Sequence, residues 1–336
     1  MKATIHGFDF TPALNWLLEP DLENPSVRYL TLRDLLGATD QDIDLQRARK
    51  ALMANGPVPV ILAAQNADGS WTPRSGIFQV SDMQLIILAE MGVDERDERV
   101  QRACEYALTH YVAENGAFAE RLPALNNETY HCKNGLMCYA LTRLGFENDA
   151  RVERALSWQA QAVSGDWAGG RNFEENGTCG PDFACRENDG LPCAWGAIKA
   201  ARAFQAVADE RKTQPLREAL DKTIQFLLSF DIEKAAYPRQ GRVSPMWFRF
   251  GFPFNDWSDL LELCQVLADQ DLGQDARLRL AIERVLDMHD ATGRWKMGRS
   301  LNGMMWTDIE RKGQPSKWIT LRALRMLKTA GWLELE

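Results

Sequence analysis

The sequence has no basic excess, no long apolar run and no closely spaced cysteine pair, and each absence removes a class of protein. Lys and Arg number 39 against 47 Asp and Glu, a formal charge of −8. Nucleic-acid and anionic-membrane surfaces need clustered positive charge, so neither partner is expected. No stretch approaches the roughly 20 apolar residues that cross a bilayer, so no membrane span is expected. Asp9, Asn15, Glu19 and Asp21 interrupt the N-terminal apolar residues before a signal sequence could form, which makes the cytosol the expected compartment. The seven cysteines are an odd number, and in a reducing compartment they favour metal ligation or buried thiols over a disulfide framework. Nothing marks disorder: the 336 residues are 45% hydrophobic and 26% charged, enough to bury a large core.

What is present is a turn that recurs. Gln65 to Trp71 reads Q-x3-G-x-W with Gly69, and Gln161 to Trp167 reads the same way with Gly165. His289 to Trp295 keeps Gly293 and the Trp but loses the Gln. Val112 to Phe118 and Asp231 to Tyr237 read as decayed copies. Their aromatic ends, at 71, 118, 167, 237 and 295, lie 47, 49, 70 and 58 residues apart, the length of a helical hairpin plus a variable loop.

Between the turns, apolar positions recur at three- and four-residue steps. Segments near 26–37, 79–92, 130–145, 192–208, 255–268 and 316–331 are rich in Leu, Ala and Met and poor in charge. Segments near 41–54, 97–114, 149–163, 214–229 and 275–288 carry charge on one face, and 10–18 supplies a sixth of that kind. Since a helix apolar all round must be buried, the alternation predicts an inner and an outer ring of helices, an all-α (α/α)6 toroid spanning residues 1–336 as one domain. Gly37, Gly92 and Gly145 stand where helices should stop.

These turns, the six alternating pairs, and the strings from Asn24 to Tyr29 and from Pro315 to Thr320 resemble the prenyltransferase and squalene-oxidase repeat proteins of the terpene-cyclase and protein-prenyltransferase superfamily. The resemblance implies inner helices around a cavity for an apolar substrate, with chemistry at the cavity mouth. It does not carry a reaction across. The Asp-x-Asp-Asp string of class II terpene cyclases, the Asp-Asp-x-x-Asp of class I cyclases and the Asp-x-Cys zinc pair of protein prenyltransferases are all missing.

The richest candidate site is built of cysteine. Cys132 and Cys193 fall at the starts of the third and fourth inner helices, which share a rim in a toroid, and the loop between supplies Cys179 and Cys185. Four such thiols suit a tetrahedral zinc ion, with His131 able to replace one or to act as general base; an iron–sulfur cluster ranks second. A disulfide or redox pair and inert buried thiols are the other readings. Asp256 and Asp259, three apart at the start of the fifth inner helix, read as cavity acids or bases on one helix face, or as helix caps. Arg28, Tyr29, Asp82, Trp195, Trp257 and Trp318 read as substrate-binding residues of the rim or cavity. Two functions compete: a metal-dependent transferase, lyase or isomerase acting on a small apolar or isoprenoid-like molecule, and a non-catalytic binding or scaffold toroid stapled by a structural metal. No pattern in the sequence bears on oligomeric state.

Overall fold

The computed structural model describes residues 2–165 and 175–336. Trp167 therefore lies outside the described residues. The helices come in outer–inner pairs. In chain order these are α1 (Thr11–Leu18) with α2 (Pro25–Leu30); α3 (Ile43–Ala54) and the short α4 (Pro57–Ala63) with α5 (Ser81–Met91); and α6 (Glu98–His110) with α7 (His131–Leu141). Then follow α8 (Ala150–Ser164) with α9 (Ala194–Ala206), α10 (Gln214–Leu228) with α11 (Leu260–Ala268), and α12 (Ala276–Leu286) with α13 (Lys317–Thr329).

The ring closes. Going round, α2 touches α5, α5 touches α7, and α9, α11 and α13 follow until α13 meets α2 again. Each inner helix also packs on the outer helix that follows it, α2 on α3, α5 on α6, α7 on α8, α9 on α10 and α11 on α12, with α13 closing onto α1. Strand β1 (Ala3–Ile5) pairs antiparallel with both β2 (Phe8–Asp9) and β5 (Glu334–Leu335), tying the last inner helix to the first outer one. A second small sheet joins β3 (Thr178–Cys179) to β4 (Ala184–Cys185). The alternating rings are as the periodicity predicts, because the uniformly apolar helices have no solvent-tolerant face.

Two local devices repeat around the ring. The first is the recurring turn. The indole of Trp71 donates to the carbonyl of Ile61 at 2.8 Å and that of Trp295 to Val285 at 2.7 Å, each ten residues upstream. In the decayed copy the Tyr237 hydroxyl makes the same reach to Leu227 at 2.8 Å. The aromatic end thus fastens each of these three turns to the outer helix before it. Gly69 is required there, since its φ of +92° is left-handed and a Cβ would fall 2.3 Å from the Arg102 carbonyl oxygen. The second device is an Asp-x-Arg cap that the sequence reading missed. Asp97, Asp149 and Asp275 each cap an outer helix by accepting from the amide two residues on, and that residue's arginine folds back onto the same carboxylate.

Candidate functional site

The inner helices point the same way, so the ring has two mouths. One cavity, of about 360 Å³, is lined by helix starts and the loops before them: Cys132, Cys193 and Trp195, with Asp256 and Trp257 ahead of α11. The other, of about 260 Å³, is lined by the later turns of the same helices, including Tyr139, Arg202, Gln265 and Arg325.

Between the mouths the axis is filled. The segment before α11 dips into the ring, stacking Phe252 on Trp318 with ring centres 3.7 Å apart. Phe254 meets Lys199, Arg202 and Arg322 at 5.3, 3.9 and 4.4 Å from its ring centre. Arg202 on α9 in turn donates to Glu90 on α5 and Glu262 on α11 and lies over Tyr139 on α7. Lys199 completes the group at 2.6 Å from Glu262. Burial would push the Glu262 carboxyl up, but Lys199 and Arg202 hold it below the usual carboxylate range. An open apolar hole is thus not what the inner ring encloses.

The cysteines separate into three and one. Cys132, Cys185 and Cys193 share the helix-start mouth, while Cys179 is fully buried away from it. The pleat explains this: β3 and β4 pair Thr178 with Cys185 and Cys179 with Ala184, so Cys179 and Cys185 take opposite faces of one hairpin. The three remaining thiols have the soft chemistry zinc prefers. Among the described residues, however, no group of three or more His, Cys, Asp and Glu side chains is gathered closely enough to hold a metal ion.

Cys193 is the N-cap of α9. The Cys185 thiol donates to its sulfur and, against burial and neighbouring Cys132, holds it below the usual thiol range; the Gly196 and Trp195 amides assist. The same contact, with burial, pushes Cys185 well up, and burial followed by Asp256 does so for Cys132. The arrangement sets one thiol held below the usual range beside two that are pushed above it.

Around Cys193 stand aromatic walls. Trp195 and Trp247 lie 6.1 Å apart, Trp247 and Tyr237 5.3 Å apart, and Trp257, 38% exposed, forms the lip. Among the described residues, the Trp195 ring nitrogen is buried without a hydrogen-bond partner. Glu120 also lines the mouth, its carboxyl pushed up by burial and by Asp256. Asp256 faces Lys133 across 4.0 Å, and Lys133 pairs with Asp82 at 2.6 Å. Burial would strip the Lys133 charge, yet Asp82 and Asp256 hold its ammonium above the ordinary lysine range. Asp82 thus acts one step behind the cavity wall.

Other residues singled out from the sequence lie elsewhere. His131 is buried on the outer side of α7, its Nδ1 accepting from Gln159 at 2.6 Å and its ring packed on Phe183. Burial lowers its pKa to about 3, so it is neutral. Asp259 does not share a helix face with Asp256, because α11 begins only at Leu260. It caps that helix, accepts from the Gly251 amide and binds both Nη atoms of Arg322, so its carboxylate is committed to structure. Arg28 faces Asp44 of the outer ring at 3.8 Å. The Tyr29 hydroxyl accepts from Arg49 of α3. Trp318 lines the opposite mouth and donates to Asn24. Sequence reasoning passed over Glu120, Lys133, Lys199, Arg202 and Arg322. For the four on inner helices, a charged residue on a largely apolar helix was the available signal; Glu120, on the loop before α7, offered none.

No family model and no curated protein matches the sequence. Among solved structures, the apo form of the type II terpene cyclase MstE from Scytonema is similar at 14% identity and a TM-score of 0.47, over 84% of this chain and 73% of that one. A variant of the same cyclase in complex with its product, merosterolic acid A, aligns at 12% identity and a TM-score of 0.32, over 85% of this chain and 95% of that one. The toroid assignment rests on the closed ring of contacts. Among the described residues, no helix is long and apolar enough to cross a membrane.

Proposed function

We propose that the chain is an enzyme acting on a small molecule with an apolar, isoprenoid-like body, bound at the helix-start mouth and attacked by the Cys193 thiolate. One observation carries the reading: the Cys193 thiol, the N-cap of α9 and held below the usual thiol range by a second thiol, opens onto a cavity walled by Trp195, Trp247 and Tyr237. The aromatic walls supply apolar contact area for the substrate body. The reaction is a transfer: the Cys193 sulfur bonds to an electrophilic carbon, the bond to the leaving group breaks and the proton of Glu120 passes to the departing atom; an acceptor nucleophile then displaces the sulfur from that carbon, its proton returning to Glu120 as the Cys193 sulfur is released. Glu120 suits that task because burial and Asp256 favour its protonated form.

The test is intact-mass analysis after incubation with a panel of isoprenoid electrophiles. A single adduct, lost in Cys193→Ser and kept in Cys132→Ser, is expected. Reversible binding without an adduct would return the chain to the binding or scaffold reading.

A further inference from the structure

The three thiols at the mouth are not equivalent, and their placement on the backbone says which two belong together. Ala184 and Pro192 form an antiparallel bridge, the Cys185 amide donates to the Leu191 carbonyl, and the Cys193 amide donates to the Phe183 carbonyl. Cys185 and Cys193 are therefore diagonal neighbours across one hairpin, and diagonal neighbours share a face. Both face the cavity, open to a small solute. Cys132 is carried on a different element, α7. Cys104, Cys138 and Cys264 are sealed inside helices at 0% exposure, and burial pushes all three thiols up.

We infer that Cys185 and Cys193 are a reversible oxidation site, closing to a disulfide across the mouth when the reduced chain meets hydrogen peroxide. The Cys193 sulfur attacks one peroxide oxygen, the O–O bond breaks, and Cys193 becomes a sulfenic acid as hydroxide leaves. The Cys185 sulfur then attacks the Cys193 sulfur, its proton neutralises that hydroxide, and the sulfenic oxygen departs as hydroxide and is protonated to water from solvent. Two thiols are oxidised and one peroxide is reduced to water. The bond pins the hairpin to the start of α9 and takes the nucleophile out of service. The inference uses the thiolate of the proposed reaction but not that reaction itself.

The experiment uses the reduced full-length chain, hydrogen peroxide and tryptic mapping without reductant. Cleavage after Arg186 separates Cys193 from the peptide that carries Cys179 and Cys185, and fragment-ion sequencing of the linked pair assigns the bond to Cys185. The expected result is that linked pair, formed equally in Cys132→Ser and reversed by dithiothreitol. In Cys185→Ser, dimedone should instead trap a sulfenic acid on Cys193. A Cys132–Cys193 link, or peroxide treatment that leaves both thiols free to alkylate, would overturn it. Because the readout is a covalent link, its failure leaves the adduct test above intact, and failure of the adduct test leaves the disulfide intact.

Discussion

Arg202 on α9 donates to Glu90 on α5 at 2.7 Å, although α7 stands between those two helices in the ring. The pair is a chord across the toroid, and Glu262 on the neighbouring α11 makes a second ion pair with the same guanidinium. Removing one side of such a group leaves uncompensated buried charge. Arg202→Met should cost roughly 3–5 kcal/mol in urea unfolding, with Glu90→Gln in the same background restoring part of it. Equal losses in the single and double variants would show that the chord carries no coupling.

The repeated aromatic turns should behave as anchors. Trp295→Ala is expected to lose about 3–5 kcal/mol of unfolding free energy, and Trp71→Ala a similar amount. Trp295→Phe, which keeps most of the ring but forfeits the bond to Val285, should lose far less. Unchanged melting in Trp295→Ala would contradict the anchoring role.

Stability should depend on His131 as pH falls. Its folded pKa is lowered from 6.5 to about 3, so between those values the unfolded chain binds a proton that the native ring does not. Stability therefore rises with pH in that window, and the His131 contribution is lost on going down from about 6.5, at about 1.4 kcal/mol per pH unit. His131→Phe should flatten that part of the profile. An unchanged slope would remove His131 as its source.

Thiol reactivity provides a direct test at the mouth. The iodoacetamide rate at Cys193 should reach half its maximum below the pH of an ordinary thiol, because Cys185 donates to its sulfur. Cys185→Ser should move that midpoint, and Cys185→Ala should move it upward by more. A midpoint in the ordinary thiol range that neither variant shifts would leave Cys193 unactivated.

The ring was legible in the sequence because helix period and turn punctuation are local properties. Trp71 and Trp295 announced their role through spacing alone, and even Tyr237 kept the ten-residue reach after its turn had lost the glycine. The site was legible only where it hung on helix starts. Cys132 and Cys193 were placed at one rim, and Trp195 and Trp257 fall beside them. Cys179 was misplaced because residue parity in a two-residue strand depends on a pairing the sequence does not announce. Asp259 was open between a cavity group and a helix-capping role because a cap and a catalytic carboxylate look alike until Arg322 is seen against it. The filled axis escaped notice for a related reason: Lys199, Arg202 and Glu262 are unremarkable singly and acquire meaning only as partners from separate hairpins.

The segment carrying Phe254 turns what could have been a tunnel into a cul-de-sac. A molecule admitted at the cysteine mouth finds Phe254 and its three cations beyond it. It must back out past Trp257 by the way it came. Under the proposed reaction, arrival and departure would compete for one doorway, a spent molecule that lingers would exclude its successor, and inhibition by product is expected to be competitive with substrate.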